Sequence, residues 1–361
     1  MTWMLLGAGL VLLIIGAELL VRGAARLAAS FGVPALVIGL TVVAFGTSAP
    51  ELAVSMKSAW SGQTELAIAN VVGSNIFNVL FILGLAAVVS PLMVSRQLIR
   101  QDVPIMILIS AVAAAMAWDG ILAFREAVVL FTGLIVYTVF LFIQGRRKGP
   151  QLADGDVAGL SEKAVPAWRN LLLVVAGLVL LVMGSRWLVQ SAVTIAGSLG
   201  VSEAVIGLTI IAAGTSLPEV MTSVMATLRG QRDIAIGNVV GSNVFNLLCV
   251  LGLSGLVSPE PLVAGSQMAS LDIPVMLGVA LLCLPLFFTG AALTRFEGSL
   301  FLMLYVCYVW YMVALALAVD YLPTLQVTIG YGLIPLVVLV VAGLLGRDLI
   351  ARRRSNGAAS Q

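Results

Sequence analysis

The stretch GTSAPE, at residues 46–51, interrupts an apolar segment that begins VPALVIGLTVVAF at Val33. A second stretch, GTSLPE at residues 214–219, interrupts another apolar segment in the same way. Glycine and proline disfavour a continuous helix, and a carboxylate is costly in an apolar environment. Two such breaks in one chain indicate a functional feature rather than an accident of composition.

The composition of the chain places it in a lipid bilayer. It has 361 residues, of which 61% are hydrophobic and 10% charged, which is too little polar surface to cover a soluble globule. Apolar runs of about 20 residues, long enough to cross a bilayer, lie at 4–22, 33–56, 66–90, 103–118, 122–143, 170–190, 201–227, 234–257, 272–289, 296–318 and 327–346. We therefore predict an all-α polytopic membrane protein with eleven spanning helices.

The chain is also an internal repeat. At an offset of 168 residues, GLTVVAFGTSAPELAVS at 39–55 aligns with GLTIIAAGTSLPEVMTS at 207–223. At the same offset, GQTELAIANVVGSNIFNVLFILGL at 62–85 aligns with GQRDIAIGNVVGSNVFNLLCVLGL at 230–253. Both alignments are gapless and roughly half of the positions are identical, which shared hydrophobicity does not explain. Each repeat holds five predicted helices.

An odd number of helices makes the second copy enter the membrane from the opposite side, so we predict two inverted five-helix repeats plus an additional C-terminal transmembrane helix. The basic residues support this orientation. With the amino terminus outside and the carboxyl terminus in the cytoplasm, only Lys57, Arg125 and Arg186 of the 19 Lys and Arg residues lie outside. We expect a multi-pass protein of the cell inner (plasma) membrane.

Four segments follow from the repeat and from composition. The first five-helix repeat occupies residues 1–143, and the second, inverted repeat occupies 169–318. Residues 144–168 between them are rich in Gly, Pro and charge, and we expect a cytoplasmic linker. Residues 319–361 hold the extra transmembrane helix and a basic cytoplasmic tail.

The breaks predict a cation site. Pro50 cannot donate to the preceding turn, so carbonyls just upstream can leave the helical ladder and become hard oxygen ligands. Such backbone is tolerated at membrane depth only where it lines a protein-buried or watered cavity. Side chains four residues apart share a helical face, as Thr47 and Glu51 do, and as Ser74 and Asn78 do. The second repeat supplies the counterparts Thr215, Glu219, Ser242 and Asn246, so the two repeats together contribute both sets of oxygen ligands. Oxygen ligands of this kind select sodium, calcium or similar ions.

Structural roles are the alternative for several of these polar residues. Ser and Thr in membrane helices often bond the carbonyl one turn back, and small polar residues often mark close helix packing. For Asn75 and Asn243 we favour interhelical hydrogen bonding over direct ligation. For Asp102 and Asp272, each followed by a proline two residues later, we expect helix-entry caps near the membrane interface. The intramembrane acids Glu51 and Glu219 favour a functional role.

The paired segments resemble the two alpha repeats of the calcium/cation antiporter superfamily, and the prokaryotic sodium/calcium exchangers in particular. The likeness covers residues 1–318, with Ala69 in place of the first glycine of the second motif. The resemblance implies a ten-helix inverted fold with Glu51 and Glu219 as shared central ligands. It also implies further ligands at Thr47, Ser48, Thr215, Ser216, Ser74, Asn78, Ser242 and Asn246, with the backbone oxygens of Ala44 and Ala212 serving sodium.

Two features depart from this family pattern. An eleventh helix follows the ten-helix core, so the usual terminal topology does not transfer. The position of Asn246 is an aspartate in some relatives, including the potassium-dependent ones, which leaves the ion stoichiometry open.

The sequence predicts a secondary antiporter that exchanges sodium for calcium by alternating access, with no cofactor and with Na⁺ and Ca²⁺ as the transported ions. A proton/calcium exchanger is the leading alternative, because a buried glutamate can be neutralised by a proton as well as by a cation. A passive channel is a further reading. An intramembrane hydrolase is disfavoured, because the chain has no histidine. We expect the lipid bilayer and these ions as partners, and no nucleic acid.

A fusion experiment tests the extra helix and the orientation. The basic residues at 146–148 and 352–354 are both expected in the cytoplasm. A reporter fused after Gln361 should therefore read inside, and one fused after truncation near Asp320 should read outside. Both fusions on the same side would remove the eleventh spanning helix.

Overall fold

The protein is a bundle of long apolar helices. The structure is a computed structural model that describes residues 2–148, 166–199 and 212–358. Within these residues, nine helices are long and apolar enough to cross a membrane, and a bent helix pair forms a tenth span. The helices are α1 Thr2–Phe31, α2 Ala35–Thr47, α3 Ala49–Trp60, α4 Thr64–Val89, α5 Leu98–Met116, α6 Phe124–Lys148, α7 Ala167–Ser198, α8 Ala212–Thr215, α9 Leu217–Leu228, α10 Arg232–Val257, α11 Met268–Phe288, α12 Arg295–Ala316 and α13 Leu322–Asp348, which continues to Ala358.

Ten of the eleven predicted spans coincide with these helices, the bent pair α2 and α3 being the span predicted at 33–56. The span predicted at 201–227 begins outside the described residues, and its later part is present as α8 and α9. Several helices are longer than predicted: α1 continues to Phe31 and α7 to Ser198.

Equivalent helices of the two repeats run antiparallel. A Cβ on Gly9 of α1 would lie 2.8 Å from the carbonyl oxygen of Gly184 in α7, and one on Gly16 would lie 2.9 Å from that of Gly177. Sequence numbers therefore rise along α1 as they fall along α7. Small residues allow this close backbone approach in membrane helices. The repeats are thus inverted relative to each other, as their odd helix number predicts.

Two short antiparallel strand pairs also join the repeats. Strand β1 (Leu92–Met93) pairs with β4 (Ala292–Leu293), and β2 (Ile121–Leu122) pairs with β3 (Leu262–Val263). Strands β1 and β2 flank α5, whereas β3 and β4 flank α11. Because β1 precedes α5 and β4 follows α11, these pairings also connect opposite ends of equivalent helices.

Helices α4 and α10 form the centre of the bundle. The most apolar window of α10 is buried along its whole length, and most of that of α4 is buried. By contrast, α12 and α13 expose large apolar side chains such as Trp310 and Leu339, as expected for helices that face lipid. The two central helices carry the GSNxFN segments, so the fold buries the polar motifs of both repeats together.

The expectation that Asp102 and Asp272 cap helices is wrong. Neither side chain makes a capping hydrogen bond, because each aspartate is the last residue of a π-helical turn and the helix continues through it. Both residues are buried, and Asp272 accepts a hydrogen bond of 2.8 Å from the hydroxyl of Tyr308. These two acids are therefore interior structural groups of α5 and α11.

The glycine contact between α1 and α7 can be tested with a matched pair of variants. Gly16→Ala would place a methyl group 2.9 Å from backbone atoms of Gly177 and Leu181, so the helices must separate. We expect the free energy of unfolding to fall by about 1–3 kcal/mol, measured by thermal unfolding in detergent. Gly7→Ala on the same helix meets no atom within 4 Å and should leave the midpoint unchanged. Equal shifts for both variants would contradict the antiparallel contact.

Candidate functional site

The site is built on the two helix breaks. Helices α2 and α3 meet at Ser48 with a bend of 46°, and Ser216 separates α8 from α9 in the same manner. Each proline lies in the first turn of the second helix, where its missing N–H costs nothing. Glu51 and Glu219 follow directly and are almost completely buried, each in the first turn of its helix. The positive end of the helix dipole favours a carboxylate at that position.

Each carboxylate is bound by the other repeat. The Ser216 hydroxyl donates to Glu51 Oε1 at 2.8 Å, and the Ser48 hydroxyl donates to Glu219 Oε1 at 3.2 Å. Thr215 lies near Glu51, and Thr47 lies near Glu219. The two carboxylates are also close enough to repel each other. The hydrogen bonds therefore bring the polar side chains of the two breaks together between the repeats.

The central helices α4 and α10 supply further oxygens. The Ser74 hydroxyl oxygen lies 3.4 Å from that of Ser216, and Ser242 is buried at the equivalent position of the second repeat. Asn78 and Asn246 are buried, and each begins a π-helical turn. Such turns are frequent at functional sites.

The amide groups of these two asparagines point in a defined direction. Asn78 Nδ2 donates to Asn243 Oδ1 at 3.0 Å, and Asn246 Nδ2 donates to Asn75 Oδ1 at 3.0 Å. The nitrogens are thus used between the helices, which confirms interhelical hydrogen bonding for Asn75 and Asn243. The oxygens of Asn78 and Asn246 remain for another partner.

Several buried oxygens at the site accept or donate no hydrogen bond within the described residues: Glu51 Oε2, Glu219 Oε2, Asn78 Oδ1, Asn246 Oδ1 and Ser242 Oγ. Buried polar atoms are normally satisfied, so a group of such atoms calls for an explanation. Every atom in this set is an oxygen, and two belong to carboxylates. The donor set therefore fits a hard cation such as sodium or calcium.

The two predicted backbone ligands are the carbonyl oxygens of Ala44 and Ala212, which belong to the short helical segments before the breaks. The carbonyl oxygen of Ala44 already accepts the backbone N–H of Ser48 at 3.0 Å and lies 3.3 Å from the Thr47 hydroxyl. It therefore stays in the helical ladder, although an oxygen with two lone pairs can accept further contacts. Ala212 begins the short helix α8. Proline frees the carbonyl of Gly214, and this oxygen accepts the Ser185 hydroxyl of α7 at 2.6 Å.

Sequence reasoning missed Asn70 and Asn238, which support the site from α4 and α10. Asn238 Oδ1 accepts the Thr47 hydroxyl at 3.0 Å, and its Nδ2 donates to Ser223 Oγ at 2.9 Å. Asn70 Nδ2 donates to Ser55 Oγ at 2.9 Å and to the backbone oxygen of Glu51 at 3.2 Å. Both residues stand four positions before the GSN serines, on the same helical face, which is the signal that could have identified them.

Comparisons with known proteins agree with this architecture. The family model described as sodium/calcium exchanger protein matches residues 1–143 and 169–314. The inner membrane protein YrbG of Escherichia coli is 38% identical over 285 residues, which cover 77% of this chain and 87% of YrbG. The sodium/calcium exchanger MaX1 of Methanosarcina acetivorans is 32% identical over 341 residues, which cover 85% of this chain and 97% of MaX1.

A solved structure shows the same fold. The sodium-calcium exchanger NCX_Mj, soaked with 2.5 mM Na⁺ and 0.1 mM Ca²⁺, matches with a TM-score of 0.73 at 31% identity, and the match covers 87% of this chain and 97% of that one. The inverted repeats, the family model and this structural match agree with the resemblance found in the sequence. The chain therefore belongs to the sodium/calcium exchanger family of the calcium/cation antiporter superfamily, and it is a multi-pass membrane antiporter of cations.

Proposed function

We propose that this protein exchanges sodium for calcium at the site between Glu51 and Glu219. The observation that carries this proposal is the group of unpartnered buried oxygens contributed by both repeats. Two buried carboxylates that repel each other need positive charge between them. A cation that binds there is coordinated by both carboxylates at once, together with neutral amide and hydroxyl oxygens.

Charge balance couples the two ion fluxes. The two carboxylates carry a formal charge of −2, which one calcium ion or two sodium ions neutralise. Either load can then pass through the occluded site, whereas the empty dianionic site is too costly to carry across. A third sodium ion would make the cycle electrogenic, adding about 2.3 kcal/mol per 100 mV of membrane potential.

The inverted repeats provide the route for alternating access. Each break packs against α7: a Cβ on Gly46 would contact Leu178, and one on Gly214 would contact Val189. Helix α7 therefore borders both halves of the site. Because the two repeats are equivalent and inverted, each can take the conformation of the other, which opens the same site to the opposite side.

Proton coupling is the alternative reading of the same site, because a proton can neutralise a buried carboxylate as a cation does. The two mechanisms differ in the gradient that they need. Calcium uptake into liposomes that is driven by an outward sodium gradient at equal pH supports sodium coupling. Uptake driven by a pH gradient without sodium supports proton coupling. Calcium flux that requires neither gradient identifies a channel.

The orientation in the membrane follows from the basic residues. Glu18 of α1 binds both Arg22 and Arg229, so these two arginines share one end of the bundle. Gly23 of α1 lies against Asn170 at the same end, next to Arg169. The positive-inside rule assigns this end to the cytoplasm, which puts the amino terminus outside and the carboxyl terminus inside the cell membrane.

Removing one carboxylate should stop calcium transport. Glu51→Gln and Glu219→Gln each keep the shape of the side chain but remove half of the negative charge that balances the bound cations. We expect calcium uptake to fall by at least about 100-fold in either variant, with thermal unfolding near normal. The exposed acid Glu260 lies outside the site, so Glu260→Gln is the matched control and should transport normally. Near-normal uptake by either site variant would refute the site.

The amide at Asn246 should set the potassium requirement. It offers an oxygen without charge, so the native protein should exchange calcium for sodium without potassium. Asn246→Asp would raise the formal site charge to −3 and strengthen competition by protons or monovalent cations. The assay is sodium-driven calcium uptake by both forms, with and without potassium, across a pH series. An absolute potassium requirement in the native protein would show that charge at this position does not govern ion choice.

A further inference from the structure

Four buried asparagines form a hydrogen-bonded group between α4 and α10, which we call the asparagine cluster. Its members are Asn75 and Asn78 on α4 and Asn243 and Asn246 on α10. Each exposes at most 3% of its surface. The contacts repeat under the pseudo-twofold relation between the repeats, so each bond has a counterpart in the other half.

The orientation of two of the amides is fixed by the backbone. Asn75 Nδ2 donates to the carbonyl oxygen of Asn243 at 3.3 Å, and Asn243 Nδ2 donates to the carbonyl oxygen of Asn75 at 3.4 Å. A backbone carbonyl can only accept a hydrogen bond, so these contacts require the nitrogen end of each amide. The oxygen ends of Asn75 and Asn243 must then point elsewhere.

The fixed amides orient the other two. Asn75 Oδ1 accepts Asn246 Nδ2 at 3.0 Å, and Asn243 Oδ1 accepts Asn78 Nδ2 at 3.0 Å. An amide whose nitrogen is held in this way presents its oxygen on the opposite side. Those two oxygens, on Asn78 and Asn246, are among the atoms that bind nothing else within the described part of the chain.

We propose that Asn75 and Asn243 are positioning residues that make the site selective for cations by holding the oxygens of Asn246 and Asn78 toward it. This inference rests on the proposed function. Without Asn75, the Asn246 amide is free to rotate, and in the empty site its nitrogen can donate to a glutamate carboxylate. That hydrogen bond stabilises the empty site, and a cation must break it to bind.

An aspartate at position 246 separates this role from simple packing. A carboxylate has no nitrogen to offer, so in Asn246→Asp one carboxylate oxygen faces Asn75 Oδ1. Two acceptors at hydrogen-bond distance repel each other unless a proton lies between them. Asn75 should therefore favour cation binding next to an asparagine and disfavour it next to an aspartate. A packing role would give the same effect in both backgrounds.

The experiment compares Asn75→Leu in the native protein and in the Asn246→Asp variant. Leucine is similar in size to asparagine. Its side chain would also lie next to an existing nonpolar neighbour, because the sulfur of Met276 is 3.7 Å from Asn75 Nδ2. Calcium binding to the purified full-length protein is measured by titration calorimetry. In the native background the dissociation constant should rise about tenfold or more. In the aspartate background it should stay unchanged or fall.

An equal weakening of calcium binding in both backgrounds would overturn the inference, as would no weakening in either. The pseudo-symmetric pair, Asn243→Leu with and without Asn78→Asp, gives the same test if one variant fails to fold. Glu219→Gln is titrated in parallel. If it binds calcium normally, the proposed site itself fails. If it loses binding while Asn75→Leu acts equally in both backgrounds, only the positioning role fails.

Discussion

Each buried glutamate accepts a hydrogen bond from a serine of the other repeat, and the rest of the site depends on these two reciprocal hydrogen bonds. A carboxylate within a membrane bundle is stable only if hydrogen bonds, a helix dipole or a cation compensate it. Here the proline breaks create a helix N-terminus beneath each of Glu51 and Glu219. The reciprocal bonds from Ser216 and Ser48 then require the two breaks to face each other.

The antiparallel contact of α1 and α7 makes that arrangement possible. Glycines along both helices bring their backbones together, so two repeats of opposite orientation meet along one line. The central helices α4 and α10 then meet across the same pseudo-twofold relation, with the asparagine cluster between them. One packing constraint therefore places the carboxylates, the serines and the amides of both halves around a common centre.

Much of this arrangement could be predicted from the sequence, because the repeat displays it twice. The gapless alignment predicted two repeats, and their odd number of helices predicted that the halves are inverted. The symmetry between the repeats predicted that the polar side chains of both motifs meet. The roles of Asn70 and Asn238 were missed because their contacts with Ser55, Ser223 and Thr47 join residues of different helices. Their position four residues before the GSN serines indicates the helical face that they share with the site, but it does not identify these partners on other helices.

Two further features lay beyond sequence reasoning for identifiable reasons. Asp102 and Asp272 have the local pattern of helix caps, but π-helical turns continue the helices through them and bury the side chains. The direction of the Asn78 and Asn246 amides depends on which ends their neighbours present. That direction is decided by backbone carbonyls on the facing helix, which only the packed structure brings together.

We propose that sodium and calcium compete for one site shared by both repeats. The most direct test is equilibrium binding of radioactive calcium to the purified protein as sodium is raised. We expect a single class of calcium sites, from which sodium displaces calcium with a Hill coefficient above one, since more than one sodium ion is needed to balance the same charge. Independent calcium sites in the two repeats, or calcium binding that sodium leaves unchanged, would contradict it.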